Sequence, residues 1–280
     1  MPVKPGYMKV RGNLMDLSVP KVMGIINITP DSFYGLSRST DEEDIITVAT
    51  EMIENGADIL DVGGYSSRPG ADEISYEEER GRVMNAVKVI ARELPEAVIS
   101  VDTFRSEIAR EAVLEYGAAI INDISGGESD PEMFPTISKI KVPYILMHMQ
   151  GVPGTMQLKP EYDDVVADIL KWFGERIFRL QSMGVADIII DPGFGFGKTA
   201  AHNFALLRRL GELSVSGLPL LVGISRKSMI WKTLDITPED ALTGTIVLNT
   251  VALMNGADIL RVHDVKEAVE AVELVKRLRT

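Results

Sequence analysis

Asp102, Asn122 and Asp191 each stand where a short apolar run turns polar, and so do Asn27, Asp61, Asp123, His148, Arg226, Lys227, Arg261 and His263. Segments that begin apolar and end polar at nearly every repeat are poorly explained by stability. They point to a polar pocket at one face of the molecule. Asp102, Asn122 and Asp191 form a carboxylate and amide set suited to a flat heterocycle with ring N–H and amino groups. Arg68, Lys227, Arg261 and His263 form a cationic set. In a chain of net charge −12 such a set implies an anionic ligand, with arginine offering a fork matched to phosphate oxygens and lysine a point charge. In Arg261-Val262-His263, strand alternation predicts that residues 261 and 263 share a side and aim together into the mouth. The competing account of Asn122 is an internal hydrogen bond, and that of any single cation is a surface salt bridge. Asp123 and Arg226, next to Asn122 and Lys227, are expected to point elsewhere and serve the structure.

Two long loops, Thr29–Thr40 and Tyr65–Ser75, are rich in Gly, Ser, Pro and Arg and read as lids that exclude water. Residues 193–198 (GFGFGK) do not follow the Walker pattern. They are expected to form a turn after a strand that brings Phe196 near the pocket. There is no HExxH motif and no Asp/Glu/His cluster at ligand spacing. Mg²⁺ often binds few protein oxygens plus substrate phosphates, and the amide of Asn27 could complete such a shell.

The elements that must position these groups are eight near-continuous apolar runs: 22–28, 58–64, 98–103, 120–125, 144–149, 188–193, 220–225 and 257–263. Their β-branched content suits strands buried on both faces. Helical periodicity lies between them, as in Ile45, Ala49, Met52 and Ile53 with Asp41 as an N-cap, in Ile108, Ala112, Val113 and Tyr116, and in Val265, Val269, Val272 and Val275 after Asp264 and Glu267. Glycines 56, 117 and 256 suit left-handed helix ends. Gly-Ala-Asp-Ile-Leu occurs at 56–60 and 256–260 and reads as one turn used twice. Eight strand–helix units predict a (β/α)8 TIM barrel spanning residues 1–280 as one domain. A doubly wound sheet is the runner-up, but the turn after the first strand reads Asn27-Ile28-Thr29-Pro30-Asp31 and lacks a dinucleotide fingerprint. Gly12-Asn13, between Tyr7–Arg11 and Leu14–Val19, predicts a hairpin at the barrel bottom.

The 280 residues carry 29 basic and 41 acidic side chains and no cysteine. This excludes disulfides, thiolate metal sites and a cysteine nucleophile and argues against a nucleic-acid surface. No apolar run is long enough to span a membrane, and no leader-like apolar segment follows Lys4, Lys9 and Arg11. A cytoplasmic protein is expected.

Several segments resemble dihydropteroate synthase in family order: residues 23–33 (MGIINITPDSF), 61–71 (DVGGYSSRPGA), 100–103 (SVDT), 121–127 (INDISGG), 147–151 (MHMQG), 191–198 (DPGFGFGK), 223–228 (GISRKS) and 261–264 (RVHD). The resemblance implies condensation of 6-hydroxymethyl-7,8-dihydropterin diphosphate with p-aminobenzoate, yielding 7,8-dihydropteroate and pyrophosphate. It implies that Asp102, Asn122, Asp191 and Lys227 hold the pterin in a slot lined by Met147 and Phe196, with Gly223 in the adjoining motif. Asn27 would bind Mg²⁺ and diphosphate, and Arg68, Arg261 and His263 the diphosphate. Phe33, Ser67, Pro69 and the backbone around Ser228 would border p-aminobenzoate. It also implies a homodimer and a sulfonamide target, and makes Asp102, Asp191, Lys227, Arg261 and His263 the catalytic group. The sequence departs from the family at Tyr65 (often Glu), at Ser67 (often Thr) and at Ala241–Thr245, where a common arginine is lost.

An arylamine is already nucleophilic at neutral pH, so a pocket without a strong general base suits the reaction. The expected route is dissociative, with the cations stabilising departing pyrophosphate and Asp191 balancing charge on the pterin. Two rivals share the pterin contacts: a corrinoid-linked methyltetrahydrofolate methyltransferase and a non-catalytic pterin-binding paralogue. Neither needs the diphosphate motifs at 225–227 and 261–263.

Overall fold

The apolar runs become strands because each buries one face in the barrel lumen and the other under helices. The computed structural model describes residues 6–28, 42–65, 74–151, 156 and 160–279. A hairpin, β1 (Tyr7–Val10) and β2 (Asn13–Asp16), precedes β3 (Lys21–Asn27). Then follow α1 (Glu42–Glu54), β4 (Ile59–Gly63), α2 (Tyr76–Glu93), β5 (Ile99–Asp102), α3 (Ser106–Tyr116), β6 (Ile120–Asp123), α4 (Met133–Ile140) and β7 (Tyr144–Met147). The chain continues through α5 (Val165–Ser182), β8 (Ile188–Asp191), α6 (Ala200–Arg208), a 3-10 turn at Leu210–Ser216 and β9 (Leu221–Val222). It ends with α7 (Ser228–Leu234), α8 (Leu242–Met254), β10 (Ile259–Val262) and α9 (Val265–Arg279). Among the described residues no helix is long and apolar enough to cross a membrane.

The sheet runs β8-β7-β6-β5-β4-β3-β10-β9, all parallel. A parallel bridge between Ile190 and Leu220 joins its two ends, with the Ile190 N–H donating to Pro219 O at 2.9 Å. That closure makes the sheet a (β/α)8 barrel rather than a doubly wound sheet. Every predicted strand is present, but most stop one or two residues short of the apolar run. The residues beyond them, His148, Ser225 and His263 among them, lie in the turns above the barrel.

The hairpin plugs the opposite end. Met8 and Val10 face inward with Leu17 and pack on Met23, Ile59, Ile120, Ile145, Ile189, Leu221 and Ile259, the lowest layer of the lumen. The turn falls on Arg11 and Gly12, one residue before its expected place. Both have positive φ (50° and 80°), as a type I′ turn requires, and Arg11 is held there by bonds to the carbonyls of Pro95 (2.7 Å) and Ala97 (3.2 Å).

The repeated Gly-Ala-Asp-Ile-Leu does the same work twice. Asp58 takes the N–H of Val22 at 2.9 Å and Asp258 that of Leu220 at 2.7 Å. Each aspartate caps the start of a neighbouring strand while its own strand begins. Ile45, Ala49, Ile108, Ala112, Val265, Val272 and Val275 are buried as periodicity predicts, whereas Ile53 turns outward. The Asp41 cap, the whole of the first lid and residues 66–73 of the second lie outside the described residues.

Candidate active site

Alternation in a closed parallel barrel points Asn27, Gly63, Asp102, Asn122, Met147, Asp191, Gly223 and Arg261 into the lumen at its C-terminal end. The two sets kept apart in the sequence reading meet there. Arg261 donates from Nε to Asp61 Oδ2 at 2.6 Å and from Nη2 to Asp102 Oδ2 at 2.7 Å. Asn122 donates from Nδ2 to the same Asp61 oxygen at 2.9 Å. One carboxylate on β4 thus ties β6 to β10. Asp61 is legible in the sequence only as a polar strand end; its linkage is purely tertiary.

Lys227 enters the lumen from the loop before α7. Arg226 directs it there, adopting a left-handed conformation (φ 53°). Its N–H donates to Thr245 Oγ1 at 3.0 Å and its guanidinium forks onto Asp264 at 3.0 and 2.8 Å. Arg226 is structural, as expected, and it occupies the carboxylate of Asp264 at the start of α9. Lys227 Nζ donates to Phe194 O at 2.5 Å and stands 4.7 Å from the centre of the Phe196 ring. The lost arginine at Ala241 leaves a buried methyl, and Thr245 supplies the hydroxyl that fixes Arg226.

The glycine-rich turn is a support for the pocket. Gly193 and Gly197 have positive φ (66° and 57°), and a Cβ on either would fall 2.0 Å from His148 O or 2.3 Å from Gln150 O. Lys198, given no role from sequence, is the knot. It is buried and donates to the carbonyls of Gly193 and Phe196, each at 3.0 Å, and meets His148 Nδ1 at 3.0 Å. Gly193 N–H donates to Asp191 Oδ1 at 2.7 Å. His148 itself faces α5, edge-on to Trp172 at 5.1 Å, and takes no place in the lumen.

Met147 and Phe196 share an apolar cluster with Ile124, Met149, Met156 and Phe104. Met147 and Phe196, the expected slot lining, thus lie together, and Ile124 and Phe104 join them. Tyr65 packs edge-on to Phe104 at 5.2 Å. Asp123 points away, as expected. It takes the Tyr144 hydroxyl at 2.6 Å and the N–H groups of Ser125 and Gly127.

His263 corrects the alternation argument. β10 ends at Val262, so 263 is no longer a strand position. Its N–H donates to Ser225 Oγ at 3.2 Å, and its Nδ1 meets the same oxygen at 3.0 Å. The ring sits exposed at the rim while Arg261 lies inside. Ser228 is exposed at the first turn of α7. Phe33, Ser67, Arg68 and Pro69 lie outside the described residues.

Burial dominates the electrostatics. It pushes the Asp102 carboxyl up to about 7, helped by Asp61, Glu79 and Asp123 and opposed by Arg261. Burial also raises Asp191, against Lys227 and the Gly193 N–H. It pulls Lys227 down to about 8, with Arg261 adding repulsion and Asp191 and Asp102 resisting. Lys198 falls to about 7 by burial and by repulsion from Lys227, against Asp191. Burial and Lys198 lower His148 to about 2, so its imidazole is neutral.

Among the described residues no three carboxylate, imidazole or thiolate groups gather closely enough to hold a metal ion. Asn27, half-buried at the end of β3, offers one amide oxygen. That donor fits an ion carried mainly by ligand phosphates and water.

Residues 23–263 match the family described as pterin binding enzyme. The chain is 48% identical over 268 residues to the dihydropteroate synthase of Escherichia coli, covering 95% of this chain and 94% of that one. The corresponding figures for the Synechocystis dihydropteroate synthase are 42%, 92% and 89%. A Yersinia pestis dihydropteroate synthase solved with a sulfonamide drug superposes with a TM-score of 0.92 at 42% identity, covering 98% of this chain and 99% of that one. The Xanthomonas albilineans enzyme solved with 7,8-dihydropteroate superposes with a TM-score of 0.88 at 35% identity and the same coverage.

Proposed function

This chain belongs to the dihydropteroate synthases, within the pterin-binding enzymes, and from that premise we propose how its residues carry the reaction. The enzyme condenses 6-hydroxymethyl-7,8-dihydropterin diphosphate with p-aminobenzoate to give 7,8-dihydropteroate and pyrophosphate. The observation that carries the residue assignment is the carboxylate, amide and guanidinium network of Asp61, Asp102, Asn122 and Arg261 beside the Met147–Phe196 slot. A methyltransferase or a bare pterin binder has no use for a buried guanidinium at a leaving-group position. The direct test is incubation with both substrates and Mg²⁺. Dihydropteroate and pyrophosphate must appear together and in equal amounts.

The pterin ring lies in the slot, with Asp102, Asn122 and Asp191 accepting from its N–H groups and Lys227 donating to its acceptors. Nε and Nη2 of Arg261 are engaged, and the guanidinium keeps Nη1 for the diphosphate. His263 adds a hydrogen-bond donor at the rim and Arg68 a second guanidinium. Asn27 would hold the Mg²⁺ that arrives with the diphosphate, and that ion supplies neutralisation of phosphate charge. The C–O bond at the exocyclic methylene breaks with its electron pair leaving on pyrophosphate. Asp191 balances the cation that results. The amine lone pair of p-aminobenzoate then forms the C–N bond, and its proton passes to solvent. Phe33, Ser67, Pro69 and the backbone at Ser228 border the aminobenzoate, the subsite for which sulfonamides compete. His263→Ala is expected to lower kcat/KM for the pterin diphosphate about tenfold, since it removes one hydrogen bond at an exposed position. Steady-state kinetics at pH 7.5 will measure it.

The reading extends to a cytoplasmic homodimer joined through α8. That helix has no charged residue from Leu242 to Met254. Val247, Val251 and Met254, spaced along one face, are 55, 37 and 54% exposed. An uncharged face carrying three exposed apolar side chains calls for a cover, and a second copy of the same face supplies one. Val251→Glu is expected to sediment as a 30.7 kDa monomer where the parent runs as a dimer. An unchanged sedimentation coefficient would place the interface elsewhere.

A further inference from the structure

Asp61 is fully buried, with no exposed surface. Its Oδ2 accepts from Arg261 Nε at 2.6 Å and from Asn122 Nδ2 at 2.9 Å. Its Oδ1, equally buried, has no partner among the described residues. A carboxylate retained for packing would be a poor choice, because a buried charge with an unmatched oxygen costs stability. What it does instead is geometric. A guanidinium held at Nε by one carboxylate and at Nη2 by a second, Asp102, cannot rotate about its stem, so Nη1 faces one fixed direction. Asp61 Oδ2 takes the Asn122 NH₂ at 2.9 Å, and this contact sets which way the amide turns. That contact commits the Asn122 NH₂ to Asp61 and leaves its carbonyl oxygen as the acceptor that remains for a ligand.

We propose that Asp61 is a positioning residue of the synthase reaction: without touching either substrate, it orients Arg261 toward the leaving diphosphate and fixes Asn122 as an acceptor toward the pterin. This rests on the residue roles given under the preceding heading. It adds that two contacts at opposite ends of one substrate depend on a single carboxylate beneath them. Loosening that carboxylate should therefore degrade recognition of the ring and of the leaving group together.

A double-mutant cycle tests it. Asp61→Asn keeps the shape and removes the charge-assisted acceptance. It is expected to lower kcat/KM for the pterin diphosphate on the order of 10- to 100-fold, with thermal unfolding close to the parent's. In an Arg261→Gln background the same change is expected to cost clearly less than in the parent, because the share carried through Arg261 is gone and only the share through Asn122 remains. The parallel cycle with Asn122→Ala, read by calorimetry with phosphate-free 6-hydroxymethyl-7,8-dihydropterin, should show the same loss of effect. If Arg261→Gln is damaging and the Asp61→Asn loss multiplies with it in full, Asp61 acts independently and the inference falls while the residue roles stand. If Arg261→Gln is itself silent, the leaving-group role falls and the inference with it. Should Asp61→Asn not fold, Arg261→Lys carries the test. A lysine keeps the charge and cannot span two carboxylates at fixed angles, so it should be within a few-fold of Arg261→Gln. Rescue to near-parent activity would overturn the positioning role.

Discussion

Replacing Arg261 by glutamine is expected to cost about 10³-fold in kcat/KM for the pterin diphosphate, the scale of one lost oxyanion-type donor in a buried site. At ~1.4 kcal/mol per tenfold this is about 4 kcal/mol of transition-state stabilisation. The loss should not be confined to the leaving group. A diphosphate ligand alone, as the motif implies for Arg261, would leave binding of the phosphate-free pterin unchanged when replaced. The structure places Nη2 of Arg261 2.7 Å from Asp102 Oδ2, so the variant also strips Asp102 of its cation. Burial already holds that carboxyl near 7, with Arg261 acting to lower it. Without Arg261 it rises further, so at pH 7 more of it is protonated and loses the charge-assisted acceptance from the ring. Phosphate-free pterin should therefore bind the variant more weakly at pH 7 and recover as the pH rises. Calorimetry with the hydroxymethyl pterin at pH 6.5, 7.5 and 8.5 measures this. Unchanged affinity at all three would separate Asp102 from the pterin site.

Lys227→Ala is expected to cost about 10²-fold in kcat/KM, within the range for a hydrogen bond to a charged group in a buried site. It should weaken both substrates. Its ammonium stands 4.7 Å from the Phe196 ring that lines the slot and bonds the Phe194 carbonyl of the turn beneath. It also offsets the buried charge of Asp191, whose carboxyl would rise further in the variant. The parent enzyme should show a matching pH signature. Asp102 must be ionised to accept a charge-assisted bond, which holds above about 7. Lys227 must be protonated to present a charged donor, which holds below about 8. The plot of kcat/KM against pH is therefore a narrow bell with its maximum between these values. Lys227→Ala should lose the alkaline limb and keep the acid one. If the alkaline limb persists, another group causes it.

The glycine-rich turn shows how chemistry and support can be confused. Its composition suggests phosphate binding, and the structure uses its glycines for close packing against the carbonyls of His148 and Gln150. Lys198 then ties the turn from within. Nothing in the residue types separates Lys198 from Lys227. Both follow polar turns and both are lysines near a strand end. Lys227 enters the lumen because Arg226 adopts a left-handed turn fixed by Thr245 and Asp264. Those partners lie 19 and 38 residues away in sequence, and no local pattern announces them.

The near-continuous apolar runs, the helical periodicity between them and the turn signal near Gly12 determined the eight strands, their parallel burial, the hairpin and the strand ends where chemistry collects. Each follows from the need to cover two apolar faces or from local turn chemistry, and these are local properties of the chain. Only the tertiary structure decided how those ends combine. Barrel closure brings β4, β6 and β10 around one lumen, so that Asp61 meets Asn122 at 61 residues' separation and Arg261 at 200. It also ends β10 at Val262, which leaves Arg261 inside and turns His263 out to the rim. Strand length and cross-barrel pairing are set by what each strand meets at closure, and that is a property of the assembled barrel rather than of any one segment.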